Sequence, residues 1–401
     1  MSVMLSSVAF EMSVLLFVAL AGYIIASRIN QSAITGEIIL GIIIGPSILG
    51  LITYTDFVKG IAELGAIVLL FVVGLEFKIK DIFKVKYAII ALVGVIVPFI
   101  GGYLVAKLFN FEFQSALFVG TALTATSIAI TANVMREMGK LQTDAARAII
   151  GAAVIDDVLG LLVLSFSNQM INGSISAWAI IFVLLKSVLF LVIGIWLGNY
   201  FLSRWIIKFD KTNLSKKYRE LVFIIAMAIA FLYALTAELI GLSAIVGAFI
   251  AGVALEGIII RQGKNYREGA EYLGIIFGAI FFVSLGILVD LSVINFKVLL
   301  FMIVLTIVAI ITKVIGCYIP ARLQGMSVED SKVVGFGMSP RGEVAMIIAL
   351  MGLNLGYFKQ DIYVSLVLMA LLTTIITPIV IRTWLYRKSP NPRTFEYRHK
   401  E

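Results

Sequence analysis

A single cysteine and a single histidine in 401 residues, with only 14% of side chains charged, remove most soluble chemistry from consideration. Cys317 alone cannot make an intrachain disulfide or a CxxC metal site. His399 alone, in the tail, leaves the apolar body without a histidine relay, a histidine metal centre or a nucleophile–histidine pair. No glycine loop of the phosphate-cradling kind sits in a strand–helix context. An enzyme is therefore not expected, and no cofactor either. The first apolar run, 5–27, has no basic stretch before it and is long enough to span a membrane, so it reads as a retained helix rather than a cleaved signal.

What the chain has in abundance is apolar material: 61% of its residues are hydrophobic, against about 45–50% in a soluble domain. It comes in runs such as Tyr87 to Lys107, and about 20 residues at 1.5 Å rise cross a hydrocarbon core of about 30 Å. The runs are too long for barrel strands and do not alternate. Thirteen spans are predicted: 5–27, 33–51, 60–77, 87–107, 115–135, 147–167, 177–201, 219–238, 242–257, 271–290, 298–318, 333–353 and 361–381. With the N-terminus outside, 25 of the 32 basic residues fall in cytoplasmic segments and four in outer ones, Lys59, Lys107, Lys297 and Lys359. Such a bias is the positive-inside signature, so the charge of +8 reports topology rather than nucleic-acid binding. The expectation is an all-α polytopic membrane protein of a cytoplasmic membrane, C-terminus inside, surrounded by lipid.

An internal repeat underlies the spans. The second and third read TGEIILGIIIGPSILG and ELGAIVLLFVVGLEFKIKDI, and the ninth and tenth read LSAIVGAFIAGVALEG and YLGIIFGAIFFVSLGILVDLSVI. Each pair is a small-residue helix followed by LG, an apolar stretch, G-[IL] and a carboxylate. An offset of seven spans turns one copy upside down relative to the other, and inverted repeats are a device of secondary transporters.

The informative residues are those that an apolar span should not hold, because a charge at the bilayer centre costs about 2.5–3.5 kcal/mol even on the lenient scale. Asp156 and Asp157 stand about mid-way through the sixth span. Adjacent helix positions diverge by about 100°, so one carboxylate can face an ion cavity while the other meets a fixed partner. Lys313, deep in the eleventh span, is the best partner for Asp156, although a lone lysine there could also snorkel to the inner surface. The fifth span carries Thr121, Thr124, Thr126, Ser127 and Thr131. These hydroxyls, with carbonyls freed by a broken helix, suit a dehydrated hard cation, while any single one can simply bond back to its own helix. The twelfth span contains Ser339-Pro340-Arg341-Gly342-Glu343, which an unbroken helix does not accommodate easily. There Arg341 and Glu343 read as supporting charges that pair and neutralise helix ends. Interrupted helices in corresponding positions of two repeats point to a transport site. Glu37, Glu63, Glu76, Glu238 and Asp290 are better explained as caps or interface anchors, and Lys186, near the middle of the seventh span, has no partner legible in the sequence.

The combination GTALTATSIAIT, VIDD, the deep Lys313 and GMSPRGE, over nearly the whole chain, resembles the cation/proton antiporter superfamily, in particular its electrogenic double-aspartate branch of NapA-type sodium/proton antiporters. The resemblance implies inverted repeats with two crossing broken helices in a core domain, and a homodimer. It divides the chain into dimerisation helices 1–3 (1–86), core helices 4–6 (87–170), a linker helix (171–218), dimerisation helices 8–10 (219–297), core helices 11–13 (298–381) and a basic cytoplasmic tail (382–401). It implies that Asp157 is the sodium ligand, with Thr126 and Ser127 beside it, and that Asp156 pairs with Lys313. Electroneutral relatives carry asparagine at the position of Asp156, so aspartate here favours electrogenic exchange. Sodium and protons are then cargo that compete for Asp157 by alternating access. Alternatives are a potassium/proton antiporter of the same fold, a sodium-coupled solute symporter, or a channel.

Overall fold

The computed structural model describes residues 8–29, 31–78, 80, 84–171, 177–258, 266–288 and 296–386, without the side chains of Ala177, Glu343 and Asn354. Asp290 and the tail beyond Tyr386 lie outside the described residues, as do Arg261 and Lys264, two of the basic residues counted as cytoplasmic. Among the described residues every regular element is helical. The helices are α1 (Val8–Arg28), α2 (Ala33–Ile44), α3 (Asp56–Gly74), α4 (Val85–Leu108), the half-helices α5a (Phe113–Thr124) and α5b (Ile128–Glu137), α6 (Asp144–Ile171) and α7 (Ala177–Trp196). They continue with α8 (Leu221–Leu239), α9 (Ala244–Ala254), α10 (Tyr266–Ile287), α11 (Phe296–Leu323), the half-helices α12a (Val328–Gly337) and α12b (Glu343–Asn354), and α13 (Gln360–Val380). Among the described residues ten helical segments are long and apolar enough to cross a membrane, and three apolar helices, within α2, α9 and α12b, are shorter. Apolar side chains such as Phe17, Trp178 and Phe182 stand exposed on α1 and α7, as lipid-facing positions of an integral membrane protein do.

Several boundaries differ from the expected spans, each for a local reason. α2 stops at Ile44 rather than at 51, because Gly45-Pro46 follows and Pro46 supplies no N–H to continue the ladder. α3 ends at Gly74, which leaves Glu76 in the connection beyond the span. α7 does not end near 201: it widens through a π-type turn, Leu197–Leu202, and continues as helix to Asp210. The fifth span is two helices separated by the non-helical Ala125, Thr126 and Ser127. The twelfth breaks in the same way between Gly337 and Glu343, at Pro340.

Packing follows the small residues. α3 lies along α10 and α9, α2 along α10 and α1, and α8 along α9; α4 lies along α11, α5a and α6, and α13 along α11 and α12b. At the α2–α10 crossing an added Cβ on Gly41 would overlap the Val283 carbonyl oxygen, and one on Gly286 would overlap that of Ile38. At the α3–α9 crossing the same pattern recurs, with Gly252 against the Phe71 carbonyl and Gly74 against that of Phe249. Backbones approach this closely only where no Cβ intervenes. Within Phe113–Glu137, residues 115–135, which contain the α5 break, are all buried in protein; lipid could not satisfy the backbone groups that a break sets free.

Candidate ion-binding site

The site begins with a shortage of hydrogen bonds. Where α5 and α12 break, the last carbonyls of α5a and α12a lose their intrahelical partners and carry the negative ends of two helix dipoles. The two breaks meet, since the Ser127 amide donates to the Pro340 carbonyl at 2.9 Å. Two further hydroxyls cross between them, Thr131 Oγ1 donating to Gly337 O at 2.5 Å and Thr126 Oγ1 to Met338 O at 3.4 Å.

Each carbonyl end is met by a cation. Lys313 is 0% exposed and donates from Nζ to the Thr124 carbonyl, the end of α5a, at 2.9 Å. Snorkelling is thereby overturned: the side chain is enclosed by protein and never reaches a surface. The same Nζ donates to Asp156 Oδ1 at 2.9 Å, and Asp156 is 2% exposed. Gly94 of α4 makes room for Cys317, one turn along α11 from Lys313: a Cβ there would lie 2.6 Å from Cys317 Sγ but at an ordinary contact distance, 3.8 Å, from Lys313 Nζ. Arg341, also 0% exposed, serves α12a: its Nη1 donates to the carbonyls of Met338 at 3.2 Å and Ser339 at 2.9 Å. Its own backbone is held by α13, with Arg341 N donating to Thr373 Oγ1 at 3.1 Å and Thr374 Oγ1 donating to Arg341 O at 2.7 Å.

Asp157 occupies the adjacent turn position of α6 and is half-buried, while Asp156 is sealed. The two carboxylates therefore live in different surroundings, one committed to Lys313 and one on a face less completely covered. Of the hydroxyl series, Thr121 and Thr124 bond back to the Leu117 and Thr121 carbonyls, and Thr121 Oγ1 also shares a 2.9 Å hydrogen bond with Ser167 Oγ of α6. Thr126 and Ser127 differ, since both sit in the break itself, and Ser127 Oγ has no hydrogen-bond partner among the described residues. Arg341 contributes by reaching carbonyls. Glu343 opens α12b, and its side chain lies outside the described residues.

Hard oxygen donors and Arg341 of two broken helices that meet, with the α6 carboxylates and Lys313 of α11 gathered beside them, form an arrangement that suits exchange of a monovalent cation. The model of the transmembrane sodium/hydrogen exchanger family matches residues 14–387. The chain belongs to that family. It is thus a member of the cation/proton antiporter superfamily. Among similar proteins are the Na(+)/H(+)-K(+) antiporter GerN of Bacillus cereus, 33% identical over 92% of this chain and 94% of the relative. The Na(+)/H(+) antiporter of Enterococcus hirae is 34% identical over 89% of this chain and 93% of its own. The sodium proton antiporter MjNhaP1 of Methanocaldococcus jannaschii shares the fold, with a TM-score of 0.67 at 18% identity, covering 94% of this chain and 97% of the other.

For this family member, sequence reasoning missed the α13 pair Thr373-Thr374 and the main-chain carbonyl of Thr124. Adjacent hydroxyls in an otherwise apolar span are the signal that could have flagged the first. No side-chain pattern marks the second, because it is a backbone group exposed only by the helix break.

Proposed function

We propose that this protein is an electrogenic sodium/proton antiporter working by alternating access, in which a sodium ion and protons compete for Asp157. The observation that carries the reading is the buried Lys313–Asp156 pair at 2.9 Å, seated on the open end of a broken helix one residue from a second carboxylate. Asp157 would take the cation with Thr126, Ser127 and freed carbonyls as neutral oxygen ligands. Lys313 and Asp156 would hold the second proton, which the ion pair can release or regain as the site changes occupancy. Exchange of two protons for one sodium moves one net charge, worth about 2.3 kcal/mol per 100 mV. Arg341, with Glu343 beside it, would keep the crossing assembled while cargo comes and goes.

The reading extends to topology. Ten long segments and three shorter helices support thirteen crossings, N-terminus outside and C-terminus in the cytoplasm of a prokaryotic cell. The matched glycine crossings of α2 on α10 and α9 on α3 support an inverted repeat. The packing preferences support a dimerisation panel of α1–α3 with α8–α10 and a core of α4–α6 with α11–α13, joined through α7, in a homodimer.

The test is exchange by purified protein in liposomes, read as sodium-dependent collapse of a preset proton gradient. Wild type should exchange and Asp157→Asn should not; full exchange by Asp157→Asn in a protein of normal melting temperature would overturn the assignment. A second reading, potassium/proton exchange at the same site, draws on the name of the GerN relative. Apparent affinities for sodium, lithium and potassium in that assay separate the two.

A further inference from the structure

Lys186 stands in the apolar α7, ten positions into a helix whose neighbours Phe182, Leu185 and Leu189 are exposed toward lipid. The half-buried side chain makes no hydrogen bond or ion pair among the described residues. It lines a cavity of about 220 Å³ where four segments meet: α6, α7, the α8–α9 turn and α12b. Its ammonium lies against that turn, since a Cβ on Gly241 would be 3.7 Å from Nζ. The cavity's lining contains no acidic residue. An ammonium set among apolar side chains, with no carboxylate in the lining, is costly to hold and is offset by a bound anion.

The lining also describes the anion's shape. Ser165 Oγ already accepts from Gln169 Nε2 at 3.0 Å, so its O–H is left to donate. Lys186 and Ser165 thus offer charge and a directed donor to an oxyanion. Leu161, Leu164 and Met351 make much of the remaining wall apolar, which a hydrated free ion would not choose.

We propose that this cavity is a binding site for the phosphate headgroup of an acidic phospholipid, with Lys186 as the charged ligand and Ser165 as its hydroxyl partner. The lipid would tie α6 and α12b to α7 and the α8–α9 turn, independently of the ion-exchange site. The full chain in a neutral detergent tests this with three probes: phosphatidylglycerol, phosphatidylcholine and inorganic phosphate. The readouts are melting temperature and phospholipid retained after washing. Phosphatidylglycerol should raise the melting temperature and be retained, phosphatidylcholine should do neither, and phosphate alone should have no effect. In Lys186→Gln retention should fall about tenfold, in Ser165→Ala less, and Lys186→Arg should restore it, a comparison that also guards against misfolding. Equal retention of both lipids by wild type, or undiminished phosphatidylglycerol retention by Lys186→Gln, would overturn the site. Stabilisation by phosphate alone would overturn the lipid assignment.

Discussion

The ammonium of Lys313 has three N–H donors, of which Asp156 Oδ1 and the Thr124 carbonyl take two. Breaking such a buried pair from one side costs about 3–5 kcal/mol, because the surviving charge is left without a partner. Asp156→Asn and Lys313→Met should each destabilise on that scale. The double variant should lose clearly less than the sum, so additive losses in chemical denaturation would mean that the two groups do not interact. Glu76, just beyond α3, gives a prediction in pH. Burial holds its carboxyl above the usual carboxylate range, with Arg136 opposing and Glu271 adding. A raised folded-state value contributes stability that is complete below the unfolded value of about 4.3 and is lost as pH rises through the folded one. Glu76→Gln, which cannot ionise, should therefore match wild type in melting temperature in acid and exceed it at alkaline pH. A difference that stays constant across pH would contradict burial as the cause.

At the scale of elements, the helix breaks and the glycine crossings set the geometry. The breaks meet closely: the Ser127 amide reaches the Pro340 carbonyl at 2.9 Å, and a Cβ at Gly342 would lie 2.6 Å from the Ser127 side-chain Oγ. At the α3–α9 crossing a Cβ at Gly252 would overlap a carbonyl oxygen, a rigid neighbour that cannot rotate away. Overpacking typically costs about 1–3 kcal/mol. Gly252→Ala should therefore lower melting temperature more than Gly60→Ala, whose added Cβ meets nothing within 4 Å. Equal shifts for the two would show that the crossing tolerates separation. Much of this level was legible: the Pro340 break followed from proline chemistry, and the hydroxyl cluster marked the fifth span. Which hydroxyls serve the break was not, since Thr121 and Thr126 are the same residue type and differ only in the backbone around them.

For the whole molecule, the prediction concerns charge moved per cycle. If two protons exchange for one sodium, an imposed potential of about 100 mV should shift the balance point of the sodium gradient by about 2.3 kcal/mol per transported charge. In liposomes without a proton gradient, an inside-negative potential should drive sodium out against its own gradient. Failure of the potential to move sodium in either direction would make exchange electroneutral and remove the second proton from the proposal.

The sequence by itself determined the class of molecule and the chemistry available to it. Runs of apolar residues can be accommodated only by lipid, and the few charges inside those runs are too costly to be incidental, so Asp156, Asp157, Lys313 and Arg341 could be singled out from their positions alone. Tertiary structure decided how those charges are used. The sequence already named Asp156, 157 residues away, as the partner of Lys313; only packing supplied its second acceptor, a main-chain carbonyl that exists as a free group because α5 breaks. Arg341 likewise reaches carbonyls at the end of α12a, and Lys186 found its cavity only once α6, α7 and α12b were packed together. Distances between remote residues and the loss of backbone hydrogen bonds are products of packing, and neither leaves a periodicity in the chain.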